Sequence, residues 1–169
     1  MGALVELVNL DPLVADLADA LRAAGLCMAS AESCTGGLIA AACTALAGSS
    51  DWFERGFVTY SNAAKSELLG VSDALLRTHG AVSEPVARAM ALGALTRAPV
   101  QRAVAVTGIA GPGGAVPGKP VGTVWLALAA ADATRGPQVS AQLLQLAGDR
   151  AAVRHATVVA ALQALRRSI

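Results

Sequence analysis

The apolar residues of this chain fall into helical stripes and short strand-like runs, separated by glycine, proline and small polar residues. Asp11-Pro12 opens the first stripe, since Asp caps a helix well and Pro suits its first turn. Leu13, Leu17, Ala20, Leu21 and Ala24 then recur at helical spacing until Gly25. Leu26 to Ala31 reads as a short buried strand, and Gly36 to Ala47 as a helix of small residues stopped by Gly48. Phe57 to Tyr60 reads as a strand, with Asn62 capping a helix that reaches Leu69. Ser83-Glu84-Pro85 opens a further helix, ending near Thr96.

Ala103 to Thr107 is a β-rich apolar run. The segment from Gly108 to Pro120 holds five glycines and three prolines and reads as a ligand loop, being too short to separate domains. Val121 to Ala129 reads as a central strand and Val139 to Leu146 as another. Asp149 caps a last helix, on which Val158, Leu162, Leu165 and Ile169 share a face. Strands alternating with helices predict an α/β/α sandwich whose central sheet is mostly parallel, with room for a mixed one. No repeat or low-complexity linker interrupts the order, so one domain over residues 1–169 is expected.

Composition sharpens this picture. Of 169 residues, 54% are hydrophobic and only 3% aromatic, so the core must pack through Ala, Val and Leu with backbones close together. The formal charge is +1 and the cations are scattered, which gives no basic stripe for nucleic acid. Cys27, Cys34 and Cys43 make an odd set without paired spacing, which argues against a disulfide framework or a zinc site and for a reducing cytoplasm. Met1 to Leu10 shows no basic n-region before a long apolar core, so no signal peptide is expected. The uncharged stretch from Ser33 to Ser50 is too rich in Ser, Thr and Gly for a membrane span.

The candidate chemistry lies in Ala31-Glu32-Ser33-Cys34-Thr35-Gly36-Gly37 and, 23 residues on, Tyr60-Ser61-Asn62-Ala63-Ala64-Lys65. A serine at a strand-to-helix turn sits beside free backbone N–H groups and the positive end of a helix dipole, which suits acyl transfer. A serine there is also an ordinary helix cap. Cys34 is a rival nucleophile, but no histidine lies near it and buried cysteines are usually inert. Lys65 is either a solvated lysine on a helix face or a base. As a base it must be neutral, and an ordinary lysine at pKa ~10.4 is charged at neutral pH unless burial lowers it. Ala63, Ala64, Leu68 and Leu69 provide a partly apolar setting. Tyr60 is either an assisting hydroxyl or a strand-end tyrosine in water.

His79 and His155 stand alone, and with no carboxylate cluster a metal site is not expected. The loop Thr107 to Gly114 lacks both the dinucleotide fingerprint and the phosphate-loop lysine, yet it follows a strand, where open α/β sheets place ligands. Lys119, Arg150 and Arg154 offer charge for a phosphate; the two arginines are equally the solvated first turn of a terminal helix.

These segments together resemble the CinA C-terminal family, the nicotinamide-nucleotide amidases. The matching blocks are AESCTGG at 31–37, GSSDWFERGFVTYSNAAKSELLGV at 48–71 and HGAVSEPVARAMALGAL at 79–95. TGIAGPGG at 107–114, KPVGTVW at 119–125 and GDRAAVR at 148–154 follow in order across nearly the whole chain. The resemblance implies an α/β sandwich that hydrolyses the carboxamide of nicotinamide mononucleotide to nicotinate mononucleotide and ammonia, in pyridine nucleotide salvage. It implies Ser33 as nucleophile, Lys65 as its base and Tyr60 as an assisting hydroxyl. Backbone N–H groups around Thr35, Gly36 and Gly37 would hold the oxyanion, with Asn62, Thr107, Gly108 and Arg150 near the substrate. No cofactor or metal is implied; the partner is a small nucleotide, and a homo-oligomer is expected. Many relatives carry this module after a pyrophosphatase-like domain, whose activity is not expected of the module alone. Two departures stand out: Ala115 replaces the second glycine of the usual GP-any-GG loop, and Leu146-Ala147 replaces an aromatic residue. A competing reading, from the family's competence-related name, is a catalytically silent nucleotide- or protein-binding module.

Overall fold

Side-chain size alternates along the central strands, and that alternation sets the layers. In the computed structural model, which describes residues 10–169, Val104 and Val106 of strand β3 (Arg102–Gly108) pack on one face of the sheet. Ala103 and Ala105 pack on the other. The branched face is covered by helices α1 (Asp11–Ala24), α2 (Leu38–Ala45) and α6 (Arg150–Arg167). The alanine face receives α5 (Glu84–Arg97), with α3 (Asn62–Leu69) and α4 (Asp73–His79) beside it. Small side chains on both partners bring the backbones near each other: a Cβ on Gly93 of α5 would collide with the Leu69 carbonyl oxygen at the end of α3. The low aromatic content predicts this close approach, and it seats the helix that carries Lys65.

The remaining strands are β1 (Met28–Glu32), β2 (Phe53–Val58), β4 (Thr123–Ala130) and β5 (Gln138–Gln145). Their order in the sheet is β2-β1-β3-β4-β5. The β2-β1-β3 half is parallel, whereas β4 and β5 run antiparallel, so the sheet is mixed. Because Thr123 pairs with Gln145 and Gly108 with Val124, the ends of β1, β2, β3 and β5 and the start of β4 share one edge. The N-terminus of α6 begins from that same edge. Open α/β sheets bind ligands at the carboxyl ends of their strands.

Several boundaries differ from the sequence expectation. Strand β2 begins at Phe53 rather than Phe57 and ends before Thr59; it is an edge strand with exposed Glu54, Arg55 and Gly56, so no apolar run marks it. Helix α4 was not expected; Ser72 caps it, accepting the Leu75 N–H at 3.1 Å. Ser61, not Asn62, caps α3, and Leu10, not Asp11, precedes the first turn of α1. Helix α2 is shorter than expected because residues 33–37 form a turn, with Gly36 at φ +61° and Gly37 at φ +99°, where a side chain would be strained. Asp149 caps α6 as expected, accepting the Ala152 N–H at 2.9 Å. Residues 1–9, on which the signal-peptide reading rests, lie outside the described residues. Among the described residues no helix is long and apolar enough to cross a membrane.

Candidate active site

Ser33 follows the last residue of β1, and both of its neighbours in the sheet pin it. Its N–H donates to the Val106 carbonyl at 3.0 Å, and the Glu32 carbonyl accepts the Thr59 N–H at 2.8 Å. The serine is therefore delivered from the strand end on a fixed backbone, at the edge where the loop after β3 and the start of α6 also lie.

Lys65 meets it from α3. Its side chain is 1% exposed, and its Nζ donates to Ser33 Oγ at 3.0 Å, to the Thr59 carbonyl at 2.8 Å and to the Tyr60 carbonyl at 3.5 Å. Burial pushes the Lys65 ammonium below the usual lysine value, with the Cys34 side chain opposing. Among the described residues no carboxylate contacts Lys65, so no counter-ion offsets its desolvation. This is the arrangement in which a lysine serves as a base. The solvated-lysine alternative is excluded by position.

Cys34 lies next to the serine but is 6% exposed, and burial pushes its thiol up to about 11. A thiol held in that state is a poor nucleophile at neutral pH.

Of the turn's amides, Gly36 N–H donates to the Ser33 carbonyl and Gly37 N–H to Glu32 Oε2. The two glycines thus spend their donors inside the turn. Among the described residues, the N–H groups of Cys34 and Thr35 have no oxygen acceptor; both are turned toward the Cys34 sulfur, a weak acceptor. Of the residues expected to offer oxyanion donors, Gly36 and Gly37 thus have their amides taken within the turn, whereas Thr35 does not bond to an oxygen.

Tyr60, two residues past the end of β2, is 61% exposed, and its hydroxyl oxygen accepts from Arg150 Nη2 at 3.0 Å. Arg150 also donates from Nη1 to the Gly111 carbonyl at 3.0 Å, tying the tyrosine to the glycine-rich loop. One helical turn on, Arg154 Nη2 donates to the Thr35 carbonyl at 2.8 Å, and its buried Nε has no partner. Neither arginine is paired with a carboxylate among the described residues. Both line a cleft of about 520 Å³ with Ala110, Pro112, Val121 and Gly148. That volume is in the range of small-ligand sites. Two other depressions, of about 360 and 310 Å³, lie by Ser168 at the opposite edge of the sheet, remote from Ser33.

The other residues singled out in the sequence have different surroundings. Thr107 is buried and donates to the Ala81 carbonyl at 2.8 Å, pinning the segment before α5. A Cβ at Gly108 would lie 2.6 Å from Val124 Cγ2 and 2.9 Å from the Thr123 carbonyl oxygen, so the glycine lets β3 and β4 close up. Asn62 is exposed and lines a separate depression with Asp73, Leu76 and Arg77. Lys119 donates to the Val82 carbonyl at 2.7 Å and to that of His79 at 3.3 Å, which ties down the loop. His155 is half-buried on α6, and Ala115 is exposed in the loop.

Sequence reasoning gave no role to Glu32. Its carboxylate is wholly buried at the start of α2. A lone carboxylate ending an apolar strand before a small-residue helix was the available signal, since a helix N-terminus attracts negative charge.

The model of the CinA C-terminal domain family matches residues 10–169. The chain belongs to the CinA C-terminal domain family. The chain is 54% identical over 162 residues to the nicotinamide-nucleotide amidohydrolase PncC of Enterobacter agglomerans, covering 95% of this chain and 96% of that one. Against PncC of Escherichia coli K12 it is 53% identical over 146 residues, 86% of either chain. It also matches 38% of the length of a CinA-like protein of Mycolicibacterium gilvum, at 51% identity over 164 residues. Among solved structures, the competence/damage inducible protein CihA of Agrobacterium tumefaciens superposes with a TM-score of 0.87 at 47% identity, covering 92% of this chain and 93% of that one. The CinA fold is thus shared along nearly the whole described chain.

Proposed function

We propose that this protein hydrolyses the carboxamide of nicotinamide mononucleotide to nicotinate mononucleotide and ammonia, as a step of pyridine nucleotide salvage. The observation that carries the reading is the buried Lys65 Nζ, 3.0 Å from Ser33 Oγ and, among the described residues, with no carboxylate beside it. The names of the PncC relatives support the substrate.

A neutral Lys65 amine has two N–H donors and one lone pair. The Thr59 and Tyr60 carbonyls take the donors, which aims the lone pair at the Ser33 hydroxyl. Lys65 removes that proton as Oγ attacks the amide carbon, and the carbonyl electrons move to oxygen. The Cys34 and Thr35 N–H groups receive the oxyanion. Collapse of the tetrahedral centre breaks the C–N bond, and the proton on Lys65 passes to the nitrogen, which leaves as ammonia. Water then attacks the Ser33 ester with Lys65 again as base, and the proton returns to Oγ. Atoms balance as amide plus water to acid plus ammonia. Because Tyr60 Oη accepts from Arg150, its own proton is free to donate toward the leaving nitrogen.

Arg150 and Arg154 receive the phosphate of the substrate. They are cations one helical turn apart on a cleft wall, with guanidinium groups that suit phosphate oxygens. The competing reading, a silent binding module, requires that a buried lysine beside a serine have no chemical use.

The deciding experiment measures ammonia released by the purified protein from nicotinamide mononucleotide and from free nicotinamide. Release from the nucleotide, and little from nicotinamide, is expected. No release from the nucleotide overturns the proposal.

A further inference from the structure

We propose that Glu32 is a positioning residue for the reaction: its buried carboxylate holds the 33–37 turn so that the Cys34 and Thr35 amides, and not the first turn of α2, meet the oxyanion. This inference rests on the hydrolase reading above.

Both carboxylate oxygens are fully engaged. Oε2 accepts from Thr35 Oγ1 at 2.7 Å, from Gly37 N–H at 3.0 Å and from Ile39 N–H at 3.0 Å. Oε1 accepts from Ala40 N–H at 2.9 Å and from Ser30 Oγ at 3.2 Å. An ordinary capping side chain sits at the N-cap itself and satisfies one donor or so. The N-cap of α2 is Gly37, which has no side chain, and Glu32 reaches the helix from the strand end five residues earlier.

Two consequences follow from charge and from geometry. The positive end of α2 is already neutralised by a carboxylate, and a second anion there would meet a like charge in a dry setting. An oxyanion at Ser33 therefore needs other donors, and the amides of Cys34 and Thr35, which face only the weakly accepting Cys34 sulfur, are those the turn leaves without an oxygen partner. The amide of the residue after the nucleophile is a recurrent oxyanion donor at strand-to-helix turns. Geometrically, the backbone of 32 and 33 is clamped by β2 and β3, while Glu32 ties Thr35, Gly37 and the helix start to the same point. The turn between those anchors carries the two amides. A buried carboxylate bound only to neutral donors is costly to hold, and its removal frees the turn rather than the strand.

The test compares the wild-type chain with Glu32→Gln, which keeps size but turns one acceptor into a donor facing donors. Four quantities are read on folded protein: the rate at which a fluorophosphonate labels Ser33, followed by intact mass; kcat and KM for nicotinamide mononucleotide; and the thermal melt. Labelling displaces fluoride through a five-coordinate phosphorus whose phosphoryl oxygen takes the oxyanion's place, and it does not depend on the natural substrate. Expected are labelling and kcat both slowed at least ~10-fold per folded molecule, with KM within about threefold. A folded Glu32→Gln with a lower melting temperature but wild-type labelling and kcat overturns the proposal, since the carboxylate then serves stability alone. If Glu32→Gln does not fold, Thr35→Val removes only the hydroxyl bond to Oε2. Labelling slowed ~3-fold or more then supports positioning, and an unchanged rate overturns it. Wild-type protein that labels but releases no ammonia overturns the amidase reading, while the Glu32 comparison still stands on labelling. Wild-type protein that does not label overturns the positioning role, because Ser33 is then not an activated nucleophile.

Discussion

Lys65 Nζ and Ser33 Oγ stand 3.0 Å apart although 32 residues separate them in the chain. The contact exists because β1 delivers the serine at its end while α3 packs against α5 through Gly93, turning Lys65 inward. If Lys65 is the base, Lys65→Arg and Lys65→Met should each lose activity by roughly 10²-fold or more, since Arg stays protonated and Met cannot accept a proton. An Arg variant with most of its turnover would reassign the lysine to substrate attraction. Ammonia release at saturating substrate distinguishes the outcomes.

Burial lowers the folded-state pKa of Lys65, so the active, neutral form should appear below the ordinary lysine range. Activity should rise with pH through an apparent pKa below ~10.4. Stability should follow the same sign. Between the depressed folded value and ~10.4 the unfolded chain binds more protons at this site, so folding gains as pH rises through that window. Thermal melts of wild type and Lys65→Met across that range check this; the variant should lack the rise.

Ser33→Ala should abolish hydrolysis while leaving the melt close to wild type, because Ser33 is small and its backbone contacts remain. Cys34→Ala should keep turnover, since burial holds that thiol protonated up to about 11. The reverse pattern would make the cysteine the nucleophile. Intact mass after trapping with a fluorophosphonate gives a second reading of which residue reacts.

Arg154→Ala and Arg150→Ala should raise KM for nicotinamide mononucleotide by about 10-fold or more, the scale of losing a hydrogen bond to a charged group. Inorganic phosphate should compete with substrate in the wild type and compete less in Arg154→Ala. Arg150→Ala should also lower kcat, because Tyr60 loses the donor that orients its hydroxyl. Equal KM values in wild type and both variants would move the phosphate elsewhere.

Gly108→Ala should destabilise the protein by about 1–3 kcal/mol, the usual scale of overpacking. The added Cβ would meet Val124 and the Thr123 carbonyl oxygen of the neighbouring strand. A lower melting temperature checks it; a wild-type melt would mean that β4 yields at this point.

The sequence alone determined the order of elements apart from α4, the α/β layering and the segments that carry the chemistry, because these rest on local signals. Helix caps such as Asp149, the glycines of the 33–37 turn and the small-residue runs act within a few positions of themselves. The tertiary structure decided the mixed sheet, since an antiparallel β4 and β5 carry the same apolar runs as parallel strands would. It decided where β2 starts, because an edge strand has no buried pattern to announce it. It also decided which of two readings holds at each reactive residue. A lysine on a helix is a solvated charge or a base according to whether it is buried, and Lys65 is buried against Ser33 at the end of a strand 32 residues away. The same is true of Glu32, whose charge looks unremarkable in the chain but is buried by a helix start that only folding brings to it.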